Sequence, residues 1–265
     1  MLSLVIPAYN ESGRLGKTLA TVLSYLHEQP YASEVLVVDD GSTDNTCQVA
    51  QHYFDTHAYG EHVTTRVLSY RPNRGKGYAV RQGLLAAQGE IAVFSDADLS
   101  TPITELPKVL EPLLANQQDV VFGSRALDYT LVGVKQPWLR ERSGRFFNWV
   151  MRQATGMPFT DTQCGFKGFR QAAMRPLVEG AVLDRFGFDV ELLFLAHRAG
   201  LRMLEQSVVW NDAAGSKVGM LSGLDGFREL RQLQRRARKG FYDATLQKTQ
   251  TIVAGVPVTA AAREE

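Results

Sequence analysis

The sequence predicts an α/β protein with a mostly parallel central sheet and helices on both faces. Short, continuously apolar runs rich in β-branched residues alternate with amphipathic stretches through the first half of the chain. Buried parallel strands have this composition because both of their faces are covered. Strands that alternate with helices indicate parallel strands joined by crossover helices.

Five strands are predicted in the first half, at residues 2–7, 34–38, 63–69, 90–94 and 119–122. Four helices are predicted between them, at residues 15–27, 44–53, 77–87 and 103–114. The second half predicts a helix at 139–155, a short GFKGF strand, a helix at 188–199, a strand ending near Trp210 and a helix at 223–241. We expect a single domain over residues 1–245 and a loose C-terminal tail over 246–265, because the last stretch has small residues and no periodicity.

The composition excludes several classes of protein. Its 29 basic and 28 acidic residues nearly cancel, so no nucleic-acid partner is expected. The two cysteines cannot form a disulfide framework or a zinc site by themselves, and a reducing cytoplasm is the simplest setting. The sequence shows neither a signal-peptide pattern nor a long apolar run. We therefore expect a cytoplasmic protein that is at most peripheral, at the inner face of a membrane.

A pair of aspartates follows the fourth predicted strand directly. Asp96 and Asp98 stand in VFSDADLST, at the carboxyl end of the strand, where open α/β sheets bind ligands. Burying two carboxylates without a counter-charge would be costly. A divalent cation such as Mg²⁺ or Mn²⁺ removes this cost and bridges carboxylates to phosphate oxygens. The alternative is a pair of solvated loop or helix-capping aspartates.

Further candidate ligand groups follow the other strands. VVDDGSTD places Asp39 and Asp40 after the second strand, where an acid can accept hydrogen bonds from ribose or a base; the alternative is a turn and a helix cap. RPNRGKGYA offers Arg74 and Lys76 at a helix N-terminus, which suits a diphosphate. No GxGxxG or Walker A sequence is present. The first strand ends in IPAYNE, whose candidates for holding a nucleobase are Pro7, Ala8, Tyr9 and Glu11.

In this order and spacing, IPAYNE, VVDDGSTDNT, NRGKG, DADLS and FGSR resemble the family 2 inverting glycosyltransferases, which have the GT-A fold, a Rossmann-like α/β sheet. DTQCGFKGF, RFGFDVELL and a later W…GSK segment are similar to the dolichyl-phosphate β-glucosyltransferases, with the polyprenyl-phosphate mannosyltransferases as near relatives. The resemblance implies metal-dependent, inverting transfer of a hexose from a nucleotide sugar to polyprenyl or dolichyl phosphate. It favours UDP-glucose as the donor, with GDP-mannose second.

The resemblance also implies roles for individual residues. Asp96 and Asp98 would hold the metal and the diphosphate. Arg125 and Arg140 would bind the acceptor phosphate, for which the arginine fork is well suited. The nucleoside would be held by Pro7, Tyr9, Glu11 and Asp39, and further substrate-binding candidates in the second-half motifs are Gln163 and Lys217.

Two positions depart from the family pattern. Ser100 stands where mannosyl relatives often carry a glutamine metal ligand, which leaves the third protein ligand open. Gly144 stands where some relatives have an acceptor-binding serine, so that contact is absent or comes from Ser143.

The implied reaction is an in-line displacement at the anomeric carbon that gives a β-linked product. The metal would neutralise charge on the departing diphosphate, with help from Arg74 or Lys76. An ionised phosphate acceptor needs no strong base, whereas a hydroxyl acceptor needs a carboxylate to take its proton. Asp189 and Glu191 are the candidates for that role. The alternative is that they only stabilise a helix N-terminus.

Two basic segments favour contact with a membrane surface. The predicted helix at 139–155 mixes arginine with phenylalanine and tryptophan, and the last predicted helix contains RELRQLQRRARKG. A polyprenyl acceptor has to be collected from a membrane, which favours lipid over the alternative of solvated helix faces.

Other functional classes stay open beside this interpretation. A different family 2 enzyme would act on a soluble or polysaccharide hydroxyl. A nucleotidyltransferase also uses paired aspartates, but its glycine-rich GxGxRL-type opening is absent. A non-catalytic module that binds sugar nucleotides is disfavoured by the intact pair of Asp96 and Asp98.

Overall fold

The computed structural model describes residues 1–134, 138–212 and 221–254, and within them seven strands form a central sheet. These strands are β1 (Leu2–Ala8), β2 (Ser33–Asp39), β3 (Val63–Ser69), β4 (Ile91–Ser95), β5 (Val120–Ser124), β7 (Phe166–Arg170) and β8 (Met203–Ser207). A small second sheet pairs β6 (Val132–Val134) with β9 (Trp210–Asn211).

Helices fill most of the connections between strands. They are α1 (Leu15–His27), α2 (Thr46–Thr56), α3 (Lys76–Ala86), α4 (Leu106–Leu114), α5 (Trp138–Thr155), α6 (Gln171–Gly180), α7 (Phe188–Arg198), α8 (Leu221–Arg238) and α9 (Asp243–Ala254). The strands and helices predicted in the first half are present, with ends shifted by a few residues. Within the described ranges, no helix combines the length and the apolar character that crossing a bilayer requires.

The strand order places a topological switch point beside β1. The order is β3-β2-β1-β4-β7-β5-β8, and neighbours are parallel except that β7 runs antiparallel to β4 and β5. The chain therefore builds from β1 to β2 and β3, and then returns to the other side of β1 with β4. Ligands of open α/β sheets bind at such a point, outside the carboxyl ends of the strands. The predicted mostly parallel sheet is confirmed.

Both faces of the sheet are buried, as its apolar strands predict. Leu4 and Ile6 of β1 face one hydrophobic core, and Val5 faces the other, because successive side chains of a strand point to opposite faces. Helices α1 and α4 complete the first core, while α3, α6 and α7 complete the second. The residues of β1, β2 and β4 are all buried, so a ligand would reach these central strands at their ends.

Two predictions for the second half are wrong. The strand expected to end near Trp210 is divided, since β8 ends at Ser207 and Trp210 begins β9 in the other sheet. The loose tail expected over residues 246–265 is a helix as far as Ala254, in which Thr249 is fully buried. Helix α9 packs against α6, so its order comes from tertiary contact that periodicity does not reveal. Residues 255–265 lie outside the described part of the chain.

Gly83 of α3 provides a test of the packing between this helix and the sheet. A Cβ atom at Gly83 would overlap Cγ1 of Val5. We expect Gly83→Ala to lower the free energy of unfolding by about 1–3 kcal/mol, because overpacking outweighs the better helix propensity of alanine. Chemical denaturation measures this difference.

The matched control for that variant is Gly16→Ala in α1, where the nearest atom to a new Cβ is 3.9 Å away. This substitution should leave stability unchanged or raise it slightly. Equal effects of the two substitutions would contradict the tight contact at Gly83.

Candidate active site

The candidate site lies at the switch point, where the carboxyl ends of β1, β2 and β4 meet. The register pairs Ala8 at the end of β1 with Asp39 at the end of β2. On the other side of β1, Val5 pairs with Phe94, two residues before Asp96. The candidate residues predicted after three separate strands are therefore brought to one edge of the sheet.

Asp96 and Asp98 lie in a tight turn that is held by the backbone. The Asp96 amide donates to the carbonyl of Gly165 (3.1 Å), and the Leu99 amide donates to the carbonyl of Asp96 (3.1 Å). Oδ1 of Asp98 accepts a hydrogen bond from the Ser100 amide (2.9 Å). A Cβ atom at position 165 would overlap the Asp96 carboxylate, so any residue other than glycine would have to displace this carboxylate.

Lys76 is the nearest described cation to this aspartate pair. Its Nζ atom lies 2.6 Å from Oδ1 of Asp96. Burial by itself would lower the pKa of Lys76, but the negative charges of Asp96, Asp189 and Asp98 raise it above the usual lysine value. Lys76 is therefore a stable cation at the edge where a diphosphate would be bound.

The donor atoms of this turn fit a divalent cation. Mg²⁺ and Mn²⁺ prefer oxygen ligands, and Mg²⁺ is commonly held by one or two carboxylates together with phosphate oxygens and water. Asp96 Oδ1 is buried and lacks a hydrogen-bond donor of suitable geometry, although Lys76 is close. Within the described residues, no cluster of three or more histidine, cysteine or acidic side chains is present. A metal here would thus take the two aspartates and complete its shell from substrate and solvent.

The IPAYNE segment lines the same edge. Pro7 and Ala8 are buried, whereas Tyr9 is 38% exposed. Arg14 links this segment to the aspartate turn, with Nε 2.7 Å from Glu11 Oε2 and Nη1 3.9 Å from Asp98 Oδ2. Glu11 therefore stands close to the candidate metal site as well as to the predicted nucleoside pocket.

Asp39 and Asp40 have different surroundings although they are adjacent. Asp39 accepts from the Ser42 amide (3.1 Å) and the Ser69 hydroxyl (3.0 Å) at the end of its strand. Asp40 instead organises the NRGKG loop, through hydrogen bonds from the Tyr70 hydroxyl (2.9 Å), the Asn73 side chain (2.7 Å) and the amides of Arg74 (2.9 Å) and Gly75 (2.8 Å). Each oxygen of Asp40 accepts two of these hydrogen bonds, whereas each oxygen of Asp39 accepts one, so Asp40 fits loop positioning better than nucleoside binding.

Arg125 forms a bidentate ion pair with Asp161. Its Nε lies 2.6 Å from Oδ2 and its Nη2 lies 2.8 Å from Oδ1. Burial alone would raise the pKa of Asp161, but the charge and hydrogen bonds of Arg125, with the Gln163 amide, lower it to about 2. The Arg125 guanidinium also lies 5.4 Å from the centre of the Trp210 ring. An acceptor phosphate would have to share this arginine with Asp161.

Gln163 and Thr162 follow Asp161 in the DTQCG segment. Nε2 of Gln163 and Oγ1 of Thr162 are buried and have no hydrogen-bond partner among the described residues. Gln163 therefore keeps a buried donor available, and its place among the substrate-binding residues stays a prediction.

The two predicted bases, Asp189 and Glu191, are both buried in α7. Asp189 Oδ1 lies 2.5 Å from Nζ of Lys167, a lysine with no exposed surface. Desolvation raises the pKa of Asp189 although Lys167 and Lys76 oppose it. Glu191 accepts from the amides of Val182 (3.0 Å) and Leu183 (2.8 Å) and from the Tyr242 hydroxyl (2.6 Å). These contacts fit a structural role for Glu191, whereas Asp189 lies close enough to Lys76 to act on its charge.

Several predicted residues are placed only in part. Arg74 is half-exposed beside Asp184 (3.6 Å), and its guanidinium stacks on Tyr78 (3.9 Å). Arg140, Ser143 and Gly144 belong to α5, but the side chains of Arg140 and Ser143 lie outside what the structure describes. Lys217 lies wholly outside them.

Lys167 and Asp161 are the residues that the sequence did not reveal as parts of the site. Lys167 lies in the middle of β7, where its neighbours in FKGFR are buried. A lysine in an otherwise apolar strand is a signal that it needs a buried carboxylate, but the identity of that partner comes only from the fold. Asp161 carries no local signal beyond its place in the motif.

The fold and this site define the class of the protein. Residues 3–177 match the family model of glycosyl transferase family 2, and this range contains the aspartate turn, the NRGKG loop and the DTQCG segment. The chain belongs to family 2 of the glycosyltransferases, and the predicted GT-A fold and enzyme class are confirmed.

More specific relatives are dolichyl-phosphate β-glucosyltransferases. The chain is 37% identical to that of Drosophila melanogaster over 228 residues, which cover 82% of the chain and 69% of the relative. It is 34% identical to those of Saccharomyces cerevisiae and Homo sapiens, with 83% and 82% of the chain and 69% of each relative covered. The predicted resemblance to this group is confirmed.

Solved structures support the fold assignment. Glucosyl-3-phosphoglycerate synthase from Mycobacterium tuberculosis, in complex with Mn²⁺, UDP and glucosyl-3-phosphoglycerate, superimposes with a TM-score of 0.60 at 21% identity, over 98% of this chain and 81% of that one. The same enzyme with Mn²⁺, UDP-glucose and phosphoglyceric acid gives the same TM-score and coverage. At this identity the similarity concerns the fold alone.

The ion pair between Arg125 and Asp161 should make stability depend on pH. Asp161→Asn removes the carboxylate and leaves the partly exposed guanidinium without its partner, which should cost about 2–4 kcal/mol near neutral pH. Because the pKa of Asp161 is lowered to about 2 in the folded state, its contribution is complete above the unfolded value and is lost as the pH falls toward 2. The difference between wild type and variant should therefore narrow by about 1 kcal/mol near pH 3.

Urea denaturation of both proteins at neutral and acidic pH measures this narrowing. Asp55→Asn on the exposed side of α2 is the control, and it should change the free energy of unfolding by less than about 0.5 kcal/mol at neutral pH. A difference between wild type and Asp161→Asn that does not vary with pH would contradict the proposed ionisation of Asp161.

Proposed function

We propose that this protein transfers glucose from UDP-glucose to a polyprenyl or dolichyl phosphate, with inversion at the anomeric carbon and with Mg²⁺ or Mn²⁺ as cofactor. The observation that carries the proposal is the turn of Asp96 and Asp98 at the switch point of a family 2 fold, with Lys76 at 2.6 Å. The names of the most similar relatives support glucose as the sugar and dolichyl phosphate as the acceptor. GDP-mannose is the second donor to test.

The donor would lie across the switch point. Tyr9 offers an exposed ring for stacking of the base, and Asp39 offers carboxylate oxygens at the end of β2. Asp96 and Asp98 would hold a divalent cation, which supplies positive charge for the departing diphosphate. Lys76 would add a second positive charge there, because it is already held cationic beside Asp96.

The acceptor side requires a phosphate-binding cation more than a base. A phosphate monoester is already ionised near neutral pH, and its oxygen can attack the anomeric carbon directly. Arg125 is the described candidate to bind it, since it directly follows β5 and the negative charge of Asp96 is among those that raise its pKa. Asp161 would keep the guanidinium in place before the acceptor arrives.

A lipid acceptor implies that the enzyme works at a membrane surface. We propose peripheral attachment at the cytoplasmic face, because UDP-sugars and an acceptor phosphate would meet there and the described helices contain no candidate for a membrane span. Transfer to a glycan or another soluble hydroxyl is the outcome that would place the protein with a different acceptor class.

The donor and metal can be tested together by thermal denaturation. UDP-glucose with Mn²⁺ should raise the melting temperature of the wild type more than either alone, because ligands that bind only the folded state stabilise it by mass action. Asp98→Asn should lose the metal-dependent part of the shift while keeping the hydrogen bond from the Ser100 amide. A larger shift with GDP-mannose would replace UDP-glucose as the donor.

Asp55→Asn is again the control and should behave like the wild type. The same proteins are then assayed for transfer of radiolabelled glucose to detergent-solubilised polyprenyl phosphate, in which Asp98→Asn should lose more than about hundredfold in rate. Binding of the donor without any transfer to the lipid would contradict the acceptor, and no shift with either donor would contradict the donor class.

Lys76 should act on the leaving diphosphate. Lys76→Met is expected to lower kcat by about hundredfold, the usual effect of removing one group that stabilises developing charge, and Lys76→Arg should recover part of it. Steady-state kinetics with varied UDP-glucose measure both kcat and KM. Arg74→Gln is the matched control, since Arg74 is half-exposed and pairs with Asp184, and it should cost less than tenfold. If Arg74→Gln lowered kcat more than Lys76→Met does, Arg74 rather than Lys76 would be the residue that stabilises the leaving diphosphate.

A further inference from the structure

Helix α8 carries an unusual concentration of positive charge. From residue 228 to 239 the sequence is RELRQLQRRARK, with six basic residues and a single acid, Glu229. We call the exposed members of this set the arginine stripe: Arg228, Arg231, Arg235, Arg238 and Lys239. At about 100° per residue, these five side chains project within about 100° of one another along the helix and its C-terminal turn.

The stripe lies on the face of α8 that points away from the protein. Leu230 and Leu233 are buried, with 5% and 1% of their surfaces exposed, and they project from the opposite side of the helix. Glu229 is also buried. Among the described residues, no acidic side chain forms an ion pair with any member of the stripe. Its charges are therefore concentrated, and no ion pair within the described part of the chain compensates them.

The helix dipole does not account for this arrangement. Basic side chains stabilise the last turn of a helix, which would explain Arg235 and Arg238. Arg228 and Arg231 lie well before that turn, where the dipole contributes little. A solvated helix face usually mixes both signs of charge, because like charges one turn apart repel each other. The stripe thus carries an energetic cost that an external anionic surface would remove.

The surroundings of the stripe combine charge with apolar groups. Phe227 and Gln232 line a surface groove together with Arg228, Arg231 and Arg235. Helix α5 packs against α8, with Nε2 of Gln234 donating to the carbonyl of Ala154 (2.8 Å), and it presents Trp149 with 52% of its surface exposed. Arginine together with exposed aromatic side chains is the composition that helices use at a lipid headgroup layer.

Helix α8 is also connected to the candidate active site. The buried carboxylate of Glu229 accepts a hydrogen bond from the Gly187 amide (2.7 Å), at the start of α7. Helix α7 carries Asp189, and the preceding loop contacts the NRGKG segment, where the Tyr78 amide donates to the carbonyl of Asp184 (3.0 Å). A membrane surface that binds α8 would therefore hold the loop before α7, which contacts the segment of Lys76, at a fixed distance from that surface.

We propose that the arginine stripe is the surface by which this protein docks onto a bilayer that contains anionic phospholipid, with α8 lying along the headgroup layer. The inference rests on the proposed function, in that a polyprenyl phosphate is collected from such a bilayer. It assigns the contact to one face of one helix rather than to the net charge of the protein, which is only +1.

The test is sedimentation of the full chain with phosphatidylcholine vesicles, with and without phosphatidylglycerol. The wild type should bind only the anionic vesicles, and binding should weaken as salt screens the charges. Each basic side chain near an anionic leaflet contributes about fivefold to partitioning, so Arg228→Gln combined with Arg231→Gln should weaken binding by more than about tenfold. Lys17→Gln combined with Arg175→Gln removes the same charge from exposed sites on α1 and α6 and should bind like the wild type.

Two further measurements keep the test independent of folding and of the transfer reaction. Circular dichroism melts should be equal for both double variants, since all four side chains are exposed. With detergent-solubilised acceptor the stripe variant should keep wild-type activity, while activity on acceptor embedded in anionic vesicles should fall with binding. If no protein transfers glucose in detergent, the proposed function is contradicted. The vesicle-binding result then still decides whether the stripe docks onto anionic bilayers.

Four outcomes would overturn the docking surface. Three concern vesicles: equal binding of the wild type to neutral vesicles, unchanged binding by the stripe variant, and equal weakening in the control variant. The last of these would mean that net charge alone attracts the protein. If the stripe variant also alters the mass of the protein in solution, measured by light scattering without vesicles, the stripe contacts a second copy of the chain instead.

Discussion

The structure depends on the compensation of charge at the carboxyl edge of the sheet. The fold brings Asp96 and Asp189 toward this edge, and a buried carboxylate such as that of Asp189 is costly unless a cation lies beside it, because the interior stabilises charges poorly. Lys76 lies against Asp96 (2.6 Å) and Lys167 lies against Asp189 (2.5 Å). The raised pKa of Lys76 reflects both carboxylates. From the core outward to the substrate edge, the charged groups therefore follow in the order Lys167, Asp189, Lys76 and Asp96, with cations and carboxylates in alternation.

This alternation determines what the edge can accept. The proposed ligand, a divalent cation with a nucleoside diphosphate, would bring nearly balanced charge and would leave none of the four groups uncompensated. Lys76 would then exchange its carboxylate partner for phosphate oxygens while remaining charged. Lys167 has no such freedom, since it is fully buried and also donates to the carbonyl of Cys164 (2.5 Å). Lys167 therefore keeps its contact with Asp189, while Lys76 at the substrate edge would change partners.

The sequence predicts the parts of the fold and the site that depend on local pattern. Apolar runs identify the strands, and the acidic, aromatic and basic residues that follow them identify the edge, because parallel strands end on the same side. Contacts between distant segments are not encoded in this way. The pairing of Arg125 with Asp161, of Lys167 with Asp189 and of Glu191 with Tyr242 joins residues 22 to 51 positions apart. The sequence does not reveal helix α9 for the same reason, since α9 is ordered by its packing against α6.

Glu191 and Asp189 illustrate why a motif locates a site more reliably than it assigns roles within it. Both acids stand in one short segment at the start of α7, and the sequence pattern gives no reason to assign them different roles. Two residues along a helix project on nearly opposite sides, so Asp189 faces Lys167 of the sheet while Glu191 faces the amides of Val182 and Leu183. The C-terminal part of the chain supplies Tyr242 to the second acid and Glu229 to the amide of Gly187. Segments outside the family match therefore hold α7 in position, and through it the inner charges of the site.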